Sequence, residues 1–317
     1  MPYRLQPGES VSGALCRSAR EQLDHAISEL SDGVEVDTVT AIHDARKALK
    51  KERSLLRLCR GALPAAERRR ENRTFRDAAH GLGAARDADV MRETLDELGD
   101  RYAGQVPTAT FDAVRGPLEA ERTTARRLLE QGDATEQVSA ELRDAVLRID
   151  EWPLERDGWR AVADGLSREY VRGRRAYTRA RARPTDENLH AWRKRAKDLW
   201  YHLRWLGPIS PRTMRGHAED AHRLADLLGD DHDLAVLRST LIELAGRIPQ
   251  DLDPVLGLLE HRRAQLQTEA MFLGERLYAE KPKAFVHRLH RYWQAWRDET
   301  RAAAEHRPAE LAEAAAG

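Results

Sequence analysis

One stretch of this sequence is written twice. TVTAIHDARKALKKERSLLRL, beginning at Thr38, aligns without gaps on TDENLHAWRKRAKDLWYHLRW, beginning at Thr185, at an offset of 147 residues. His43, Arg46, Lys47, Lys50, Leu56 and Arg57 recur as His190, Arg193, Lys194, Lys197, Leu203 and Arg204. A second pair follows in the same order at offset 146: LGAARDADV from Leu82 and LGDDHDLAV from Leu228, sharing Asp87/Asp233 and Val90/Val236. Two matched blocks in one order are a poor product of chance, so the chain reads as a tandem duplication with its junction near Pro153. Residues 1–152 are expected as a first helical-bundle repeat and 153–303 as a second, the two together forming one domain. Residues 304–317 are expected as a flexible tail with little to pack.

Each repeat is helical. Ala, Leu, Arg and Glu dominate, apolar residues recur every three or four positions, and no segment sustains the apolar/polar alternation of a strand. Pro64, Pro107, Pro153, Pro184, Pro208, Pro211, Pro249, Pro254 and Pro282 fall between the periodic stretches. Proline lacks the N–H a helix interior needs but fits a first turn, so these positions read as boundaries. The spacing predicts ten to twelve helices with short connections, an all-α bundle fold.

The duplicated segment carries a stripe of cations. Thr38 and Thr185 are the candidate N-caps. At about 100° per residue, His43, Lys47, Lys50 and Arg57 fall within about 80° of one another, and Arg46 and Arg53 widen the stripe to about 120°. His190, Arg193, Lys194, Lys197 and Arg204 repeat it. Residues 43–60 hold seven Lys/Arg against two acidic residues, and 190–204 hold five against one. So many like charges on one face repel one another unless an anion spans them. Further arginines are candidates to join: Arg168, Arg172, Arg175 and Arg179 on one helical face, and Arg122, Arg126 and Arg263 in weaker clusters. The two histidines sit near a helix start among cations, where a metal ion is repelled and an anion also meets the positive end of the helix dipole. Those cations should hold both imidazoles neutral. In the second motif, Gly83 and Gly229 are expected to end a helix. Asp87 and Asp233 would then begin the next and orient nearby basic side chains.

IHDARKALKKERSLLRL and LHAWRKRAKDLWYHLRW, followed by LGAARDADVM and LGDDHDLAVL, resemble the two signature blocks of the CHAD family, the conserved histidine α-helical domain. The resemblance covers residues 8–300. It implies two helical bundles related by a pseudo-two-fold, with basic residues lining a central channel or groove. It further implies binding of inorganic polyphosphate at polyphosphate granules of the cytoplasm. Matched position by position, it implicates His43, Arg46, Lys50, Arg53 and Arg57, and His190, Arg193, Lys197 and Arg204. Two departures stand out: Arg53 faces Trp200 and Lys51 faces Asp198, so the second half supplies less charge. No triphosphate-tunnel domain with acidic metal-binding strands accompanies the repeats, so the resemblance implies no catalytic residue, no cofactor and no metal.

The ligand class suits the charge pattern. Lys plus Arg and Asp plus Glu number 53 each, so the net charge is zero. That excludes bulk cationic binding but is compatible with a local basic patch offset by acidic segments elsewhere. Polyphosphate offers no bases to read, only a line of anions for Arg forks and Lys point charges. Two other readings are set beside it. A metal-dependent helical phosphohydrolase could use His43-Asp44, His80, His222 and His232-Asp233, but the cations around His43 oppose it and the spacing fits no HExxH or facial-triad pattern. A nucleic-acid module would use the same stripes, but with few aromatics it would bind at most non-specifically. No apolar run reaches the ~18 residues of a membrane span. The opening MPYRLQPGES lacks a signal-peptide core, so a soluble cytoplasmic protein is expected. Cys16 and Cys59 have no disulfide or zinc spacing.

Overall fold

The repeat's apolar flank, Ile42, Leu49 and Leu56 beside the cations, is buried, and the rest of the fold is assembled around it. A computed structural model describes residues 3–130, 134–248 and 251–316, with the side chains of 32–36, 83–87, 125–126, 128–130 and 307–316 outside the description. Among the described residues there are eleven α-helices and no strand. They are α1 (Val11–Ser28), α2 (Val34–Leu58), α3 (Ala65–Gly81), α4 (Gly83–Arg101), α5 (Thr108–Glu130) and α6 (Ala134–Ile149), then α7 (Trp159–Ala182), α8 (Asp186–Trp205), α9 (Pro211–Leu244), α10 (Asp253–Leu277) and α11 (Pro282–Ala316). The all-α expectation holds. Pro211, Pro254 and Pro282 open α9, α10 and α11, and Pro64 precedes α3, as the missing N–H dictates. Pro249 lies outside the described residues. Pro117, which sits inside α5, is a proline the chain tolerates mid-helix.

The repeated segment forms α2 and α8. Thr185 caps α8 in extended conformation, its hydroxyl accepting from the Asn188 N–H at 3.3 Å. In the first copy the cap is one residue earlier than expected. Asp37 breaks the helix at φ −153°, and its carboxylate accepts from the Val39 and Thr40 N–H groups at 3.1 and 3.4 Å. A carboxylate there also suits the positive helix end.

Helices α2, α7 and α8 pack mutually, α8 lies against α9, and α4 reaches across to α9. One continuous apolar core runs through both repeats. Trp192 and Trp205 of α8 are fully enclosed, and each such burial contributes roughly 1.5–3 kcal/mol. The Trp205 indole donates to Ser18 Oγ at 2.9 Å, and its carbonyl accepts from the Leu5 N–H at 2.9 Å, tying the start of the chain to the second repeat. α7 crosses the end of α2 at Gly165, where an added Cβ would overlap the Leu58 carbonyl. Only glycine permits that approach. The approach sets the arginine face of α7 beside the cations of α2 and α8.

Candidate anion-binding site

α2 and α8 cross at a small polar node. Ser54 Oγ donates to the Asp198 carbonyl at 3.4 Å, and the buried His202 Nε2 lies 2.9 Å from the Ser54 carbonyl. Asp198 replaces the lysine found at the matching position of α2, and its carboxylate joins both stripes. Arg57 Nη1 is 3.3 Å from Oδ1 and Arg195 Nη1 is 2.9 Å from Oδ2. Arg195 continues to Glu169 of α7 at 2.7 Å, and Glu169 to Arg172 at 2.9 Å. Burial pushes the Glu169 carboxyl up, but Arg195 and Arg172 together hold it below the usual range. Three guanidiniums are thus fixed by two buried carboxylates, with one positive charge left over.

Around this node the cations act on one another across the helices. Lys51 falls to about 8, first through burial and then through Arg204 of the other stripe and Lys47 of its own. Lys194 is lowered by burial and then by Arg195, Arg53, Arg193 and Arg57. Lys197 is lowered by burial, with Arg193 and Lys47 adding to it and Asp226 and Asp233 opposing. Arg53 is lowered by burial and then by Arg57, and its Nε donates to Asn72 at 3.3 Å. Cations of α2 and α8 thus lie close enough to act on one another, adding like-charge repulsion to the larger effect of burial.

Beside the node lies an open cleft of about 420 Å³ between α7 and α8, lined by Arg172, Arg175, Arg179, Glu187, His190, Lys194 and Arg195. Five cationic side chains there face one carboxylate. His190 stacks on His232 of α9 with ring centroids 4.3 Å apart, and its Nδ1 is buried with no hydrogen-bond partner. Burial, then His232, Lys194 and Arg193, push His190 down to about 4, the direction the sequence predicts for an imidazole among cations.

The remaining sequence-predicted residues divide. Arg46 Nη1 donates to the Leu82 carbonyl at 2.9 Å, at the break between α3 and α4. Its counterpart Arg193 lies 3.7 Å from Asp233, with its guanidinium against Gly229. The expectation that glycine ends a helix here needs correction in both copies: Gly83 opens α4, and Gly229 lies buried inside the unbroken α9. Two residues on, the buried Asp231 is held by Arg263 at 3.0 Å and Gln267 at 2.8 Å. The glycine instead makes room for an arginine: a Cβ would sit 3.3 Å from Arg193 Nη2. Asp233 does orient that arginine, whereas the Asp87 side chain lies outside the described residues.

Lys47 lies 3.6 Å from Asp44, and His43 and Lys50 are exposed on α2. Lys197 and Arg204 flank the Trp200 ring at 5.9 and 5.3 Å, so the tryptophan that replaces an arginine holds two cations by their attraction to its face. Arg168 is exposed on α7. Arg122 is committed to Asp89 and Glu119. Arg263 is buried and committed to Asp231 and Asp186. Both arginines tie neighbouring helices together. The Arg126 side chain lies outside the described residues. Sequence reasoning missed Lys51, Arg195 and His232 as members of the site. Arg195 sits about 140° from His190 on the helix wheel, outside the stripe, and only α7 brings it into the cleft. Among the described residues no three His, Cys, Asp or Glu side chains converge as metal ligands would; His222 pairs with Asp226 at 2.9 Å. Nor is any described helix long and apolar enough to cross a membrane.

Residues 17–242 match the model of the CHAD domain. Two uncharacterized proteins of Mycobacterium tuberculosis are similar: MT2285 of strain CDC 1551 and Rv2226 of strain H37Rv. Each is 28% identical over 265 residues, covering 75% of this chain and 48% of the relative, so the chain spans about half the length of these curated proteins. The solved structure of PptA from Streptomyces chartreusis superposes with a TM-score of 0.58 at 16% identity, covering 86% of this chain and all of that one, a likeness of fold.

Proposed function

The chain belongs to the CHAD family, and from that premise we propose that it binds inorganic polyphosphate, acting as a binding module and not as an enzyme. The observation that supports this reading is the cleft between α7 and α8, lined by Arg172, Arg175, Arg179, Lys194, Arg195 and His190 with Glu187 as its one lining carboxylate, Arg172 and Arg195 being held from behind by buried Glu169. It continues into the cationic space shared by α2 and α8, where Lys47, Lys50, Lys51, Arg53, Arg57, Lys197 and Arg204 are the contacts we assign. His43, Arg46 and Arg193 complete the set. The pseudo-two-fold arrangement of the two stripes lets one flexible chain engage both at high effective concentration. Arg forks held by Asp198 and Glu169 are already oriented, so little side-chain entropy is lost on binding. The expected location is the cytoplasm, at polyphosphate granules. Nucleic acid would compete only through its phosphates.

A binding titration with long-chain polyphosphate, with orthophosphate and RNA as competitors, tests the proposal. Orthophosphate should compete poorly because it lacks the multivalent gain. Replacing the exposed Arg179 and Lys194 together by Ala should weaken binding about tenfold or more while the melting temperature stays put. Full affinity in that variant, or equal competition by orthophosphate, overturns the reading.

A further inference from the structure

The arginines of α7 do not all face the cleft just described. Taking Arg172 as zero and turning about 100° per residue, Arg179 falls near −20°, Arg175 near −60°, Val171 near −100°, Thr178 near −120° and Arg174 near −160°. The fan is continuous over about 160°, and the structure uses all of it. On the far side of α7 lies a second open cleft of about 450 Å³, lined by Val171, Arg174, Arg175, Thr178, Arg179 and Pro282, the residue that opens α11. Arg175 and Arg179 line both clefts. They form a ridge shared by the two clefts, and the exposed Lys281 and Lys283 are the chain neighbours of Pro282. Arg174 is not among the arginines singled out from the sequence, because it lies about 160° from Arg172, off the face shared by Arg168, Arg172, Arg175 and Arg179.

Resting on the polyphosphate reading, we propose that the second cleft is a further station for the same ligand: a long polyphosphate chain leaves the α7–α8 cleft, crosses the Arg175–Arg179 ridge and is held by Arg174 on the outer face. The ridge makes this one continuous anion path. Short chains fill the first cleft alone, and only long ones reach Arg174. The second station therefore discriminates by chain length, a property the two stripes do not by themselves confer.

The test compares long-chain polyphosphate with tripolyphosphate on wild type, Arg174→Gln and Arg174→Lys. Arg174→Gln should weaken long-chain binding about fivefold and make its salt dependence shallower by ~0.7 in log–log slope, the loss of one phosphate contact if single-strand behaviour transfers. Tripolyphosphate affinity and melting temperature should not change, and Arg174→Lys should restore most of the long-chain affinity. Unchanged long-chain affinity in Arg174→Gln, or a parallel loss for both ligands, overturns the outer station while leaving the first cleft intact. Wild-type protein that binds neither ligand overturns the polyphosphate reading itself and this inference with it.

Discussion

His190 offers the sharpest test of the site, because its environment changes sign when an anion arrives. In the free protein it is held down to about 4 by burial, by the stacked His232 and by Lys194 and Arg193. Phosphates in the cleft neutralise those cations and favour imidazolium, returning the group toward its reference of about 6.5. A group with a higher pKa in the bound state takes up a proton on binding, so affinity must rise as pH falls through the bound-state value. Moving from about 4 to about 6.5 predicts a binding constant roughly twentyfold larger at pH 5 than at pH 7, or about 1.8 kcal/mol. Solvent screening at this partly open position reduces that to an expected five- to tenfold. The same shift has a cost for the unbound fold. A histidine whose pKa is depressed by folding loses stability for the protein as pH falls from about 6.5 toward 4. Competition binding at pH 5, 6 and 7 measures the effect, and calorimetry in buffers of different ionisation heat counts the proton directly. His190→Gln should flatten the pH dependence and abolish the proton uptake while keeping the pH 8 affinity. If His190→Gln retains the wild-type pH profile, the imidazole is not linked to the ligand and its place beside His232 is a matter of packing.

Three further outcomes follow from other parts of the molecule. Glu52 is fully buried with neither carboxylate oxygen partnered, and burial pushes its pKa well up, so it folds in protonated form and stability falls as pH rises above the unfolded value; Glu52→Gln should raise stability at pH 7 by roughly 1–3 kcal/mol in denaturant melts, and a loss would refute it. Asp198→Asn removes the carboxylate shared by Arg57 and Arg195 and should cost about 2–3 kcal/mol in thermal unfolding, together with weaker polyphosphate binding as Arg57 loses its carboxylate and Arg195 is left with Glu169 alone. Gly229→Ala should gain about 0.5–1 kcal/mol of helix stability and yet weaken binding a few-fold by displacing Arg193, a split between melting temperature and affinity that a purely structural glycine would not show.

What the sequence reveals and what it hides divide along a physical line. The cations of α2 and α8 are legible because helix periodicity and an internal repeat both act within one segment. The same holds for the Thr185 cap, whose hydrogen bond spans three residues. The cleft is not legible, because it depends on α7 packing beside α8, and no periodicity encodes that contact. Arg263 misled for the same reason: in sequence it is one more arginine in a basic cluster, while in the fold it is buried against Asp231 and Asp186. The LG motif misled differently. Its glycine looks like a helix terminator at both copies, yet at 229 its missing side chain serves a neighbouring arginine and the helix runs on.

The zero net charge, which at first sight argues against a polyanion ligand, has a structural explanation in where the carboxylates sit. One set is inside the cationic region: Asp198 and Glu169 are buried, each bridges two arginines, and each sits where it fixes guanidiniums instead of covering their outward donors. The other set is elsewhere. Glu93, Glu97, Asp100, Asp230 and Asp233 outnumber Arg101 and Arg262 in a separate cleft of about 670 Å³ beside α4 and α9, where burial and then Glu97, Asp226 and Asp233 push Asp230 up to about 6 against the opposing Arg262. The protein therefore carries two opposed fields on one scaffold. Segregation of this kind keeps the molecule neutral at long range, so association draws little on steering beyond a Debye length of about 8 Å. Near the surface it leaves the α7–α8 cleft lined by five Lys and Arg side chains and one carboxylate. Affinity then depends on close contacts made by oriented arginines, and it should prove steep in salt even though the chain as a whole has no charge to screen.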